Sequence, residues 1–341
     1  MNLTALLPAG ANVRSLPSAK NPRLYFSGAN PIRRWQETAL YPAFRPAAQA
    51  YRLLLRIKAS LGLCKTCINL SPDWVVYHFT KELFPRVSST VILVGTPGPS
   101  QKITVQVWEH GKVIAYLKYA EKPAARNRLA NEHSMLKALP EGLGPTVLKY
   151  GPLENGMGLL TSPVVGRVLP AKLPIDTRVC NLYKRLEISS PRPIETHPWI
   201  QMVRTRYGQL MDPWLEVLGN RRWPIVIQHG DFSPWNIHQS SKNELRAIDW
   251  EYGTLKGFPY LDLVYYILQV AALIYHWSPH DARYYAVSFL NNSTWMELSA
   301  TQAKAVVSLA AFNAYQQFLL DGHASNTSTQ TWWHSVWMSK I

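Results

Sequence analysis

The chain has 341 residues, 47% of them hydrophobic and 17% charged, which is enough to bury a sizeable core and by length corresponds to about two domains. Its 25 Pro and 18 Gly lie near average frequencies and no repeat or low-complexity tract appears, so solenoid and disordered classes are excluded. A formal net charge of +15 would suit a polyanion-binding protein, but residues 1–86 hold 12 Lys or Arg against three acids, Glu37, Asp73 and Glu82. The excess is therefore an N-terminal property, read as a solvated basic surface with peripheral contact to an anionic membrane as the alternative, and no specific nucleic acid is expected.

Three cysteines are too few for a disulfide framework, and Cys64-Lys65-Thr66-Cys67 supplies only half of a typical structural zinc site. The first twenty residues lack a basic stretch followed by a long apolar one, so no export signal is expected. The longest apolar segment, 261–275, contains Asp262 and Gln269 and is too short to span a bilayer. A cytoplasmic protein, at most peripheral at the inner membrane face, is the expectation.

In chain order, residues 1–85 read as a basic appendage with one helix over 47–63, where Leu53, Leu54, Ile57 and Leu61 recur at helical spacing. Residues 91–94 read as a strand, 95–100 as a loop, 103–108 as an alternating second strand and 113–119 as a third. A helix is predicted over 124–139 and two further strands near 146–150 and 158–162. These make an α+β unit over 86–163. The remainder, 164–341, is mainly helical, with helices predicted near 198–218, 261–276, 282–290 and 301–320. One short β-rich piece, 225–227 and 245–248, interrupts the helices.

That β-rich piece carries the chemistry. After the apolar residues Ile225, Val226 and Ile227 come Gln228-His229-Gly230-Asp231-Phe232-Ser233-Pro234-Trp235-Asn236, which place an amide five residues after an acid. Thirteen residues after Asn236, Asp249 stands between Ile248 and Trp250 at the end of another strand. Phosphoryl transfer uses this inventory: one carboxylate to orient or accept the proton of the attacking hydroxyl, and an amide and a second carboxylate to hold magnesium on the phosphates. A carboxylate at an apolar strand end is costly without a cation or donors.

With these residues the chain resembles the aminoglycoside phosphotransferase and choline kinase superfamily, whose signature is His-Gly-Asp, Asn five residues after the Asp, then Ile-Asp-Trp or a near variant. The resemblance covers roughly residues 90–340. It implies a bilobal protein-kinase-like fold, with a small antiparallel-sheet lobe and a mainly helical lobe. It also implies an ATP- or GTP-dependent phosphotransferase acting on a small hydroxylated substrate with Mg²⁺. Asp231 would be the catalytic base, Asn236 and Asp249 the magnesium ligands, and His229 would shape the loop.

Lys118 stands in the mostly apolar third strand, with Glu132 fourteen residues on in the following helix. The resemblance makes them the phosphate-anchoring lysine and its orienting partner, with Glu121 as an alternative partner. The loop 95–101 lacks a Gly-x-Gly-x-x-Gly pattern, although the backbone amides of Gly98 and Ser100 would still reach phosphates. Thr161, Ser162 and Pro163 resemble the interlobe hinge that meets the adenine, and Pro163 removes one donor there.

Asp262-Leu263 matches an Asp-Leu pair at which members of the superfamily open a helix and brace the catalytic loop. Read alone, Asp262 is a helix N-cap. His238 reads as structural or exposed. Glu251 is either a second metal ligand or an acceptor contact. Thirteen tryptophans make a cation-binding cage conceivable. The Pro-Trp-Asn and Asp-Trp-Glu-Tyr-Gly variants resemble uncharacterised members linked to bacterial polysaccharide assembly, which implies a sugar or lipid-linked sugar hydroxyl as acceptor. The competing reading is a catalytically silent kinase-like binding or scaffold protein with a basic polyanion-binding segment.

Overall fold

A computed structural model describes residues 3–8, 12–64, 74–322 and 324–338. Cys67, and with it the Cys64/Cys67 pair, lies outside the described residues; Cys64 is buried, and burial pushes its thiol up, away from the reactive thiolate. Two compact units divide the chain: residues 1–137 with 145–164, and residues 138–144 with 165–341.

The first unit is built on a seven-stranded antiparallel sheet of order β1-β2-β3-β4-β5-β7-β6. Its strands are β1 (Arg14–Pro17), β2 (Pro22–Phe26), β3 (Ser89–Val94), β4 (Ile103–Glu109), β5 (Lys112–Ala120), β6 (Val147–Leu153) and β7 (Gly156–Thr161). Between β2 and β3 run α1 (Pro31–Glu37), α2 (Pro46–Ser60) and α3 (Val75–Thr80), and α4 (Pro123–Ala138) follows β5.

Side chains alternate across the pleat, so both faces of the sheet can be covered. Ile92, Val105, Val107 and Leu117 pack on one face with Leu6, Leu7 and the α3 residues Val76 and Phe79. Leu16, Leu24, Phe26 and Val91 pack on the other with Leu55 and Ala59 of α2. This explains the unbroken apolar run 91–94, which a sheet with one wet face would not need.

Residues 14–26, read from sequence as part of an appendage, thus contribute two strands that pair through Leu24 and Tyr25 with Leu93 and Ile92 of β3. The missing signal is physical: Pro17 and Pro22 stand in these strands, and proline depresses any local strand reading while being tolerated near a sheet edge.

The second unit holds β8 (Arg167–Val168), α5 (Thr177–Lys184), α6 (Pro198–Tyr207), α7 (Asp212–Leu218), β9 (Val226–Gln228), β10 (Ile237–Gln239), β11 (Leu245–Ala247), β12 (Thr254–Gly257), α8 (Leu261–Leu273), α9 (Pro279–Asn292), α10 (Ala300–Leu320) and α11 (Ser328–Met338). The single helix predicted over 198–218 is broken at Gly208, whose φ of 63° leaves the helical region, and restarts with Pro213 in its first turn.

Helix α8 is buried along nearly its whole length, and α10 packs against α7, α8, α9 and α11. No helix among the described residues is long and apolar enough to cross a membrane. An antiparallel-sheet unit followed by a mainly helical unit is the α+β architecture that the resemblance implied.

Candidate active site

In the second unit, two short β-ladders bring the polar residues together. Strand β9 pairs with β12, and β10 pairs with both β11 and β8. Ile237 opposes Ala247, and the Ile248 N–H donates to the Asn236 carbonyl at 2.8 Å. The backbone of Asn236 is therefore tied to the residue that precedes Asp249, although thirteen residues separate the two side chains in sequence.

The loop between β9 and β10 is held from several sides. The Asn236 Nδ2 donates to the Asp231 carboxylate at 2.9 Å and to the Asp231 backbone carbonyl at 3.0 Å. Tyr265 also hydrogen-bonds the Asp231 side chain, and Gln269 Nε2 donates to the Tyr265 hydroxyl at 2.6 Å. Asp262 accepts the backbone N–H groups of His229 and Gly230 at 2.6 and 3.0 Å. It does not cap its own helix, so the N-cap reading is corrected: this carboxylate braces the loop.

His229 lies 2.8 Å through Nε2 from the Ile248 carbonyl and accepts the Asp231 N–H at Nδ1. A carbonyl can only accept, so this ring is neutral with its proton on Nε2, and it ties the loop to the Asp249 strand end instead of moving protons. Its ring lies 4.5 Å from that of Trp250.

Two backbone conformations are demanding. Gly230 has φ +81°, and a Cβ there would stand 2.6 Å from the Tyr252 carbonyl oxygen, so glycine alone fits. Asp249 is left-handed, with φ 67° and ψ 55°, a conformation that non-glycine residues seldom adopt and that turns the chain immediately after Ile248.

The acids of the loop and the strand end act on one another electrostatically. The protein packed around Asp231, then the Asp249 charge, push its carboxyl up to about 7; Glu251 adds to this, while the hydrogen bonds from Tyr265 and Asn236 oppose it. Burial likewise pushes Asp262 up to about 7, against the two amides that favour its charged form.

Among the described residues no three His, Cys, Asp or Glu side chains are grouped so as to hold a metal ion unaided. Magnesium needs less than that from a protein, because it keeps waters and takes phosphate oxygens while one or two carboxylates fix it. With the Asn236 amide nitrogen bonded to Asp231, its oxygen remains a hard donor, and the mutual repulsion of Asp231, Asp249 and Glu251 favours a cation among them. The donor set fits.

In the first unit, Lys118 Nζ contacts both carboxylate oxygens of Glu132, at 2.5 and 2.7 Å. Glu132 is only 2% exposed. Glu132 is thus an ion-pair partner of Lys118. In the loop after β3, the Gly98 carbonyl accepts from Lys122 Nζ at 2.8 Å, which brings a cation to that loop; Ser100 sits in its turn. Thr161 closes β7, and its hydroxyl reaches the Tyr116 carbonyl at 3.5 Å. The Ser162 N–H donates to the Thr146 carbonyl, and its hydroxyl accepts the Thr146 N–H, both at 2.9 Å. Its backbone donor is thus already engaged within the unit.

No protein-family model matches this chain, and no curated protein does. Among solved structures it is similar to choline kinase LicA from Streptococcus pneumoniae, at 13% identity over 77% of this chain and 95% of that one, with a TM-score of 0.48. It is also similar to WbdD in complex with the kinase inhibitor LY294002, at 17% identity over 62% of this chain and 43% of that one, TM-score 0.30. A second WbdD structure, described as a bifunctional kinase-methyltransferase, gives 18% identity, 67% and 46% coverage, and TM-score 0.30. The match spans less than half the length of these WbdD chains.

Sequence reasoning missed Tyr265, Gln269 and Lys122. A signal for the first two existed: Asp262, Tyr265 and Gln269 are spaced three and four apart, one face of a helix that is otherwise apolar. Trp199, Trp223, Trp250 and Trp333 are among the most deeply buried side chains and pack the core. His238 lies half-buried in β10, opposite Arg246 and Val168.

Proposed function

We propose that this chain is a small-molecule phosphotransferase that moves the γ-phosphate of ATP or GTP to a hydroxyl, with a sugar or lipid-linked sugar as the acceptor class. The observation that carries this is the Asp231 carboxylate fixed by Asn236 Nδ2 at 2.9 Å, close enough to Asp249 to be pushed up by its charge. The motif variants around Trp235 and Trp250 support the acceptor class by resemblance.

In this reading Asp231 orients the acceptor hydroxyl and takes its proton as the oxygen bonds to phosphorus and the bond to the nucleotide breaks. Asn236 and Asp249 would hold a divalent cation, which neutralises charge on the phosphates when bound. Tyr265 and Asn236 fix the rotamer of Asp231, so the base meets the hydroxyl without a reorientation cost. Asp262 and His229 hold the loop backbone. In the first unit, Lys118 would anchor the α- and β-phosphates, kept extended by Glu132.

The test is transfer of label from γ-labelled ATP or GTP, with magnesium, to a panel of sugars, lipid-linked sugars and amino alcohols. Label in a sugar hydroxyl is expected. Tight nucleotide binding with no transfer to any acceptor and no nucleotide hydrolysis would establish the silent scaffold instead.

A further inference from the structure

Helix α2 has the sequence Pro-Ala-Ala-Gln-Ala-Tyr-Arg-Leu-Leu-Leu-Arg-Ile-Lys-Ala-Ser, fifteen residues with three cations and no acid. One side of it belongs to the core: Leu55 is 5% and Ala59 0% exposed, packed on Leu16, Leu24 and Phe26 of the sheet. Arg56 is also turned to the protein, stacked 3.9 Å over the Trp35 ring and donating to its carbonyl.

The opposite side is apolar and uncovered. Leu53, Leu54, Ile57 and Leu61 are 49, 65, 43 and 68% exposed, and at 100° per residue they fall within about a third of the helix circumference. Isolated exposed leucines need no explanation, but four large ones on one helical stripe do. Leu63, 63% exposed, follows just beyond the helix end.

Charge selects what covers this stripe. Residues 12–64 carry nine Lys or Arg and a single acid, Glu37, which is 1% exposed and paired with Arg33 at 2.9 Å. This segment therefore presents cations, with Lys58 exposed beside the stripe, and no accessible acid among its own described residues. A second copy docked stripe to stripe would bring like charges together with nothing to neutralise them. An apolar helix face bordered by cations fits instead the boundary between acyl chains and anionic headgroups, where the helix lies in the plane of the surface.

We propose that the exposed face of α2 docks this protein on an anionic lipid surface, with Leu53, Leu54, Ile57 and Leu61 entering the headgroup layer. The proposal is independent of the phosphotransferase reading.

The test is sedimentation of the full chain with vesicles of phosphatidylcholine, with and without phosphatidylglycerol. Binding to the anionic vesicles is expected, weakened by salt as surface charges are screened. The double variant Leu54→Gln/Leu61→Gln should bind roughly tenfold more weakly or less, because two partly exposed leucines lose their apolar transfer. Tyr284→Gln, 71% exposed on a different helix, should bind as the parent does.

Gln suits an exposed helix position as well as Leu, so the thermal melt of the double variant should match the parent. The proposal is overturned if anionic vesicles are not bound, if the double variant binds equally well, or if neutral vesicles bind as tightly. Concentration-dependent self-association that the double variant abolishes, without vesicle binding, would assign the face to a second copy.

Discussion

Asp262 Oδ2 holds the backbone N–H of His229, 33 residues upstream, at 2.6 Å, and its other oxygen holds Gly230 at 3.0 Å. The start of a buried helix thereby positions the loop that presents Asp231. Asp262→Asn would set an amide NH₂ against one of two backbone N–H groups and leave a buried donor without an acceptor. We expect a stability loss of about 1–3 kcal/mol by denaturant titration. We also expect kcat to fall while the Kd for nucleotide stays near that of the parent. A nucleotide Kd that rises in step with the loss of kcat would contradict a positioning role.

The two other acids should separate by function. Asp231→Asn removes the proton acceptor but no proposed metal ligand, so transfer should drop by about a hundredfold or more while magnesium-dependent nucleotide binding persists. Asp249→Ala should lose the magnesium dependence of that binding. Calorimetric titration with and without magnesium distinguishes them. Because Asp249 and Glu251 disfavour the Asp231 charge, Asp231→Asn is also expected to be at least as stable as the parent.

Lys118 and Glu132 invite a double-mutant cycle. Lys118→Met strands a carboxylate that is 2% exposed, and should cost about 3 kcal/mol. Removing both charges, as Lys118→Met with Glu132→Leu, should restore most of the stability and none of the nucleotide binding. Recovery of binding in the double variant would remove Lys118 from the phosphate site.

The pH dependence of folding should carry a histidine signature. His197 is fully buried; its Nδ1 accepts the Trp199 N–H at 3.3 Å and its Nε2 lies 3.2 Å from the Pro224 carbonyl, an arrangement open only to the neutral ring. Burial holds it below its ordinary value of 6.5. The unfolded chain therefore binds a proton that the folded chain does not. Its stabilising contribution is present above 6.5 and is lost as pH falls through the lowered folded value. His133 and His238 are lowered by burial in the same way. Asp231 and Asp262, pushed up to about 7, act in the opposite sense over the same range, so the histidine part is read as a difference: from pH about 7 to about 5 the denaturation midpoint of the parent should fall relative to that of His197→Gln.

Much of the site was legible without coordinates, because Asp231, Asn236 and Asp249 flank strands at short separations and the chain itself fixes how far apart they can be. Lys118 and Glu132 were legible for a related reason: a cation in an apolar strand and an acid in the next helix each need a partner. The role of Asp262 was visible only as an alternative to an N-cap, since both readings place an acid in the first turn of a helix. Tyr265 and Gln269 were hidden inside an apolar run.

The sequence by itself determined the α+β order of elements, the polar inventory and the apolar stripe of the helix over 47–63. Only the tertiary structure decided which face of that helix is covered, that residues 14–26 complete the sheet, and that Tyr265 and Asp262 reach back to the loop. Short-range patterns are set by backbone periodicity and side-chain chemistry, which are local. Which distant surfaces meet depends on how whole elements pack, and the residues at the contact carry no mark of it.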